Sequence, residues 1–243
     1  MTHQLSLRPS SRSRALRASA WAVVVGVGLA VGLHWGGARA SGAVALPAPA
    51  TDLPVPAKPS EQTVVLAGGC FWGVQAVFQH VKGVHLATSG YAGGAADTAK
   101  YDLVSTGDTG HAESVLVAFD PTQVSFGRLL QVFFSVAHDP TELNRQGPDQ
   151  GTQYRSVIFA TSPEQKRVAE GYIAQLDRAK RFSGPIVTKV VPLEKFYPAE
   201  GYHQNYATLH PDNPYIVIND APKVAHLRQL FPDLYRETKS PPR

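Results

Sequence analysis

Thr63-Val64-Val65-Leu66-Ala67-Gly68-Gly69-Cys70-Phe71-Trp72-Gly73-Val74 is the stretch that decides the fold. Its first five residues form a continuous apolar run of strand length, and Gly68-Gly69 breaks that run. From there Phe71, Val74, Phe78 and Val81 recur at spacings of three and four, the stripe of a half-buried helix. A buried strand that turns directly into a helix leaves Cys70 at the helix start. Free backbone N–H groups and the positive end of the helix dipole favour an anion there. The expectation is a thiol of lowered pKa, and the thiolate is the nucleophilic form. The glycines on its N-terminal side let another molecule approach, and Phe71 and Trp72 supply an apolar wall. A buried cysteine can also be a small hydrophobe, but Gly-Gly-Cys-aromatic-aromatic-Gly favours a nucleophile.

Working outward, Glu113 to Phe119 alternates, so Glu113, Val115, Val117 and Phe119 share one face of a strand. Leu129, Leu130, Phe133, Phe134 and Ala137 make a second helical stripe, and Arg155 to Ala160 reads as another strand. Ser162-Pro163-Glu164-Gln165 is a helix start, with a Ser cap, Pro at the first position and Gln at the box position, and the helix runs to about Ala179. Ile186 to Val191 reads as a strand and Val224 to Leu230 as a late helix. Strands and helices alternate without a sustained βαβ rhythm or a Gly-rich phosphate fingerprint, so the class is α+β, a sheet with packed helices. Ala137 to Gln153 is polar and without period. A segment of that length inside a compact domain marks function or disorder, and the regular elements on both sides favour function.

Composition narrows the classes. The 243 residues are 43% apolar and 17% charged, which excludes collagen, coiled coil and a wholly disordered chain. The formal charge of +4 comes from Arg8, Arg12, Arg14, Arg17 and Arg39; beyond residue 40 there remain 18 basic and 19 acidic residues. No global bias toward nucleic acid or anionic membrane is left. Residues 1–40 read as a secretory signal peptide: arginines to Arg17, an apolar run from Ala20 to Leu33, then Ala38-Arg39-Ala40 as a cleavage site. The run is short for a membrane span, so membrane association is expected only if this segment stays uncleaved. The body is expected to be exported, periplasmic or secreted. Residues 41–62, rich in Ala and Pro, read as a stiff linker with little to bury. Residues 63–235 have the size of one domain with a good core, and 236–243 read as a polar tail. The single cysteine, Cys70, excludes an intramolecular disulfide and any Cys-pair zinc site.

A nucleophilic cysteine needs partners. Candidate segments are Tyr91-Ala-Gly-Gly94, Tyr101, Gly107 to Glu113, and Gly151-Thr-Gln-Tyr-Arg155. If the Glu113 face is covered, its carboxyl loses solvation and its pKa rises; a carboxylic acid still protonated near neutrality can give a proton to a substrate oxygen. An exposed strand-end glutamate is the plain alternative. His111-x-Glu113 matches half of a zinc-deaminase signature, but one cysteine cannot supply the other half. A cysteine hydrolase would need a His base, with His111 and His138 as candidates.

Gly69-Cys-Phe-Trp-Gly73, Ser89-Gly-Tyr-Ala-Gly-Gly94, Thr109-Gly-His-Ala-Glu113, His138-Asp-Pro140, Arg145-Gln-Gly147 and Gly151-Thr-Gln-Tyr-Arg-Ser156 occur in this order. Together they resemble the A-type peptide methionine sulfoxide reductases over about residues 62–210. Glu200-Gly-Tyr-His-Gln-Asn-Tyr206 and Asn213-Pro-Tyr-Ile216 also look familial, at lower rank. The resemblance implies a two-layer α/β sandwich with a mixed sheet, ferredoxin-like. It implies reduction of the S epimer of methionine sulfoxide, free or in peptides and proteins. It makes Cys70 the nucleophile and Glu113 the proton donor to the sulfoxide oxygen, with Tyr101 and Tyr154 hydrogen-bonding to that oxygen. It places Phe71 and Trp72 around the substrate methyl and Asp149 near the substrate's polar groups. No bound cofactor or metal is implied. Many relatives resolve the resulting sulfenic acid with a second cysteine; with none here, the expected reductant is an external thiol, a thioredoxin-like protein or a small thiol. A one-Cys thiol peroxidase is the competing enzyme class, and a module binding Met-containing partners through Phe71 and Trp72 the non-enzymatic one.

Overall fold

A computed structural model describes residues 45–238. The strand at the head of the decisive stretch, β1 (Gln62–Ala67), is central in a six-stranded sheet. Helix α1 (Phe71–Gln79) follows after the glycine turn. Then come β2 (Val84–Ala92) and β3 (Ala112–Phe119), helix α2 (Phe126–Val132) extended by a π-turn over Phe133–Ala137, and β4 (Val157–Ala160). These make a βαββαβ unit with strand order β4-β1-β3-β2, all antiparallel. Helix α3 (Pro163–Arg178) leads to β5 (Lys189–Pro192), parallel to β4, and β6 (Phe196–Pro198) closes the other edge on β2. The sheet is therefore mixed and the class α+β. Helix α4 (Ala221–Leu230) packs on α1.

Alternation sorts the strands onto two faces. Val64, Leu66, Val115, Val117 and Phe119 join the main core beneath the helices. Val65, Ala67, Ala112, Val157 and Phe159 form a smaller apolar patch on the other face. Tyr91 pairs with Glu113, so the carboxyl enters the helix side of the sheet beside a buried ring. The Ser162 cap is present: its hydroxyl accepts from Gln165 N–H at 3.1 Å. Strand β2 carries no readable alternation, because a register shift between Val84 and Leu86 breaks the period and Ser89 and Gly90 interrupt the apolar run.

Two boundaries need correction. The segment 41–62 is not a linker with little to bury where it is described. Leu46 is buried in the main core. Its N–H donates to Ser135 Oγ (3.2 Å), Tyr172 Oη donates to Pro47 O (2.7 Å), and Ala50 N–H donates to Gln175 Oε1 (2.7 Å). An extended proline-rich segment cannot satisfy its own backbone, and here side chains of the helical layer do so. At the other end, Arg236 is tied into the domain rather than beginning a free tail: its guanidinium donates to Gln79 O (3.0 Å) and Val84 O (2.7 Å). The expected signal peptide lies outside the described residues.

Candidate active site

The turn between β1 and α1 is built from contacts that only glycine allows. Gly69 has φ +88°, and a Cβ there would fall 2.5 Å from the Gln146 side chain. The loop after Ala137 therefore lies directly on the turn. Gln146 is pinned by its amide, which accepts from Asp139 N–H and donates to Asp139 O, both at 3.0 Å. This loop, without regular period in the sequence, is ordered by side-chain bonds to its own backbone. It carries Asp149 in a two-residue ladder and leads into the 3-10 turn Thr152–Tyr154.

Cys70 occupies the cap position of α1 and is 7% exposed. The expectation of a lowered thiol pKa is overturned. Burial raises it well above the usual value, with Glu113 and Asp220 adding to the rise, while the Trp72 backbone N–H and Lys223 oppose it. Loss of water outweighs both the helix end and the charge of Lys223. Glu113 is 3% exposed and accepts from Phe71 N–H at 3.1 Å. Burial lifts its pKa to about 8, against the Phe71 bond, with Asp149 and Asp220 contributing. The site thus holds a neutral acid beside a neutral thiol.

Tyr101 opens a short helix (Tyr101–Val104), its N–H donating to Glu200 Oε1 at 2.9 Å while Tyr91 Oη donates to Glu200 Oε2 at 2.8 Å. Burial first, then the charge of Glu113, raises the phenols of Tyr101 and Tyr154, so both stay hydrogen-bond donors. Phe71 is 1% exposed and packs on Tyr91 and His203 at ring distances of 5.9 and 5.0 Å. Trp72 keeps partial exposure: it stacks on Tyr206 at 3.8 Å and 8°, meets Tyr215 edge-on at 5.9 Å, and donates from Nε1 to His203 Nδ1 at 3.2 Å. Trp72 is the part of the aromatic wall that a solute can touch. Asp149 accepts a hydrogen bond from Tyr215 Oη.

Sequence reading missed Tyr215, His203 and Asp220. The first two lie in the familial-looking segments Glu200–Tyr206 and Asn213–Ile216, which carry lower rank in the sequence. Asp220 in Asp-Ala-Pro looks like an ordinary helix start. The histidines proposed for a hydrolase are engaged elsewhere. His111 bonds Gly94 N–H (3.2 Å) and Ala95 O (2.9 Å), and His138 bonds Phe133 O (3.2 Å) and Ser156 Oγ (2.8 Å). Neither is free to serve Cys70. No cluster of three metal-ligating side chains occurs among the described residues.

Comparison with known proteins agrees with this geometry. The family model "Peptide methionine sulfoxide reductase" matches residues 62–234. Peptide methionine sulfoxide reductase MsrA 2 of Mesorhizobium japonicum is 62% identical over 181 residues, 74% of this chain and 93% of that protein. The MsrA 2 of Synechocystis sp. is 52% identical over 172 residues, 71% of this chain and 80% of that protein. Among solved structures, reduced Mxr1 from Saccharomyces cerevisiae has a TM-score of 0.57 at 33% identity, covering 68% of this chain and 92% of its own. Methionine sulfoxide reductase A of Corynebacterium diphtheriae has 0.55 at 38% identity, covering 64% and 77%.

Proposed function

This chain belongs to the peptide methionine sulfoxide reductase family, an oxidoreductase that returns methionine sulfoxide to methionine through a nucleophilic cysteine, and from that premise we propose how its residues divide the work. Cys70 Sγ attacks the sulfoxide sulfur. Negative charge builds on the sulfoxide oxygen, and Glu113, neutral below about pH 8, gives it a proton. Tyr101 and Tyr154 donate to the same oxygen, as donors in an oxyanion hole do. The bond between that oxygen and the methionine sulfur then breaks, and the transient S–S bond is released, as the oxygen passes to Cys70 as S–OH; the methionine sulfur gains the two electrons the cysteine sulfur loses, and the thiol proton replaces the one spent by Glu113. Trp72, backed by Phe71, holds the S-epimer's methyl group, and Asp149, oriented by Tyr215, receives the substrate's polar groups. The substrates are oxidised proteins and peptides and the free sulfoxide.

One observation carries this division: a carboxyl 3% exposed, tied to the backbone N–H next to the nucleophile. A structural glutamate would be solvated or paired with a cation. Because Cys70 is the only cysteine in these 243 residues, the sulfenic acid is returned to thiol by an external thiol, a small molecule or a thioredoxin-like protein. The protein works outside the cytoplasm, on the support of residues 1–40. The test is a stereoresolved single turnover with S and R methionine sulfoxide, read by intact mass with and without dimedone. One methionine per Cys70 from the S epimer and a dimedone adduct are expected. Equal turnover of both epimers, or a disulfide-linked homodimer as sole product, would overturn the reading.

A further inference from the structure

Asp220 sits at the cap position of α4, where an aspartate ordinarily accepts from backbone N–H groups of the first turn. It makes no such bond. Its side chain is 0% exposed and is turned onto α1, where a Cβ at Gly73 would lie 2.1 Å from Oδ1 and 2.8 Å from Lys223 Nζ. Oδ1 accepts from Lys223 Nζ at 3.1 Å, and Oδ2 is buried without a partner. A carboxylate and an ammonium are thus both pressed against the third residue of the nucleophile's helix, about one turn from Cys70. Capping does not explain this, and the Lys223 bond satisfies only one oxygen.

We propose that the Asp220–Lys223 pair governs the ionisation of Cys70, Asp220 holding the sulfur as a thiol and Lys223 limiting how strongly it does so. The proposal rests on reading Cys70 as the nucleophile. The charged and titratable groups acting on that sulfur are Glu113 from β3, and Asp220 and Lys223 from the C-terminal segment; the Trp72 N–H adds a partial positive charge. The phenols of Tyr101, Tyr154 and Tyr215 in turn feel the sulfur's charge. Asp220 itself is faced by Lys223 and, more weakly, Asp149. The consequence concerns oxidants other than the substrate. A hydroperoxide transfers oxygen to a thiolate, giving sulfenic acid and releasing water or an alcohol, and a second equivalent carries it to sulfinic acid. With no second cysteine in these residues to trap the first product, keeping the sulfur protonated protects it.

Alkylation by iodoacetamide reads Cys70 alone, because no other cysteine competes. Its rate is measured against pH for the full chain, for Asp220→Asn and for Lys223→Met, with circular dichroism checking the fold. The midpoint is expected to fall by at least about half a unit in Asp220→Asn and to rise in Lys223→Met. Inactivation by hydrogen peroxide at pH 7.5 is expected to be several-fold faster in Asp220→Asn. Midpoints that stay put, or move in the same direction in both variants, overturn the proposal. Should Asp220→Asn not fold, Lys223→Met decides alone, since an unmoved midpoint there is sufficient to reject it. Alkylation needs no sulfoxide turnover, so failure of the reductase reading would be seen separately.

Discussion

At the residue scale the chemistry is set by water rather than by helix geometry. Cys70 has the helix end that ordinarily favours a thiolate, yet burial and two carboxyls keep it a thiol. The same burial makes Glu113 useful. Its folded pKa, raised to about 8, keeps the proton on below that pH and releases it above. Glu113→Gln is therefore expected to slow single-turnover methionine formation by about 10²–10³ at pH 7. The deficit should shrink above pH 8, where the native acid is itself ionised. A ratio of wild-type to variant rates that is flat from pH 6 to 9.5 would remove Glu113 from proton transfer. Trp72→Ala should raise KM roughly tenfold, in line with the modest worth of one apolar contact, and a change in kcat alone would place Trp72 outside the pocket.

At the scale of elements, the strand–turn–helix junction and the loop laid over it behave as one unit. Gly69→Ala introduces a side chain at φ +88° and pushes on Gln146. The left-handed conformation alone costs about 1–2 kcal/mol. A melting temperature several degrees lower is expected, with catalytic efficiency more than about tenfold down because the nucleophile shifts. A loss of stability with full activity would show that Gln146 yields and the junction does not. The N-terminal strap is a second such unit. Leu46 lies 5% exposed in the core, so Leu46→Ala should destabilise by roughly 2–5 kcal/mol in urea unfolding. Unchanged stability would mean that the strap detaches in solution.

For the whole molecule, the buried His138 network makes acid sensitivity a property of the fold. Burial holds the His138 pKa down at about 4 against a usual 6.5. Between those values the unfolded chain binds a proton that the folded chain refuses, so stability grows as pH rises from 4 to 6.5 and is level above. The full contribution is about 3 kcal/mol. The urea midpoint of the native protein should rise across this window more than that of His138→Asn, and equal slopes would exclude His138 as the cause.

The chain's own pattern was sufficient for β1, α1, β3 and α3: a continuous apolar run ended by two glycines, a stripe at spacings of three and four, a strand alternation and a capping signal in turn. It was sufficient also for Cys70, where the apolar run breaks into the helix, and for the strand face that Glu113 shares with Val115 and Val117; that this face is covered and the carboxyl buried is decided by the helices packed on it. The motifs placed Tyr101, Tyr154 and Asp149 in the site by likeness alone. Local pattern could not show that residues 46–53 are part of the core, that Tyr215 and His203 build the wall around Trp72, or that Asp220 looks inward instead of capping its helix. These depend on which surfaces meet across long sequence separations. The ionisation of Cys70 belongs to the same group: propensity at a helix start is a local quantity, whereas the removal of water from the sulfur happens only when sheet, loop and C-terminal helix close around it.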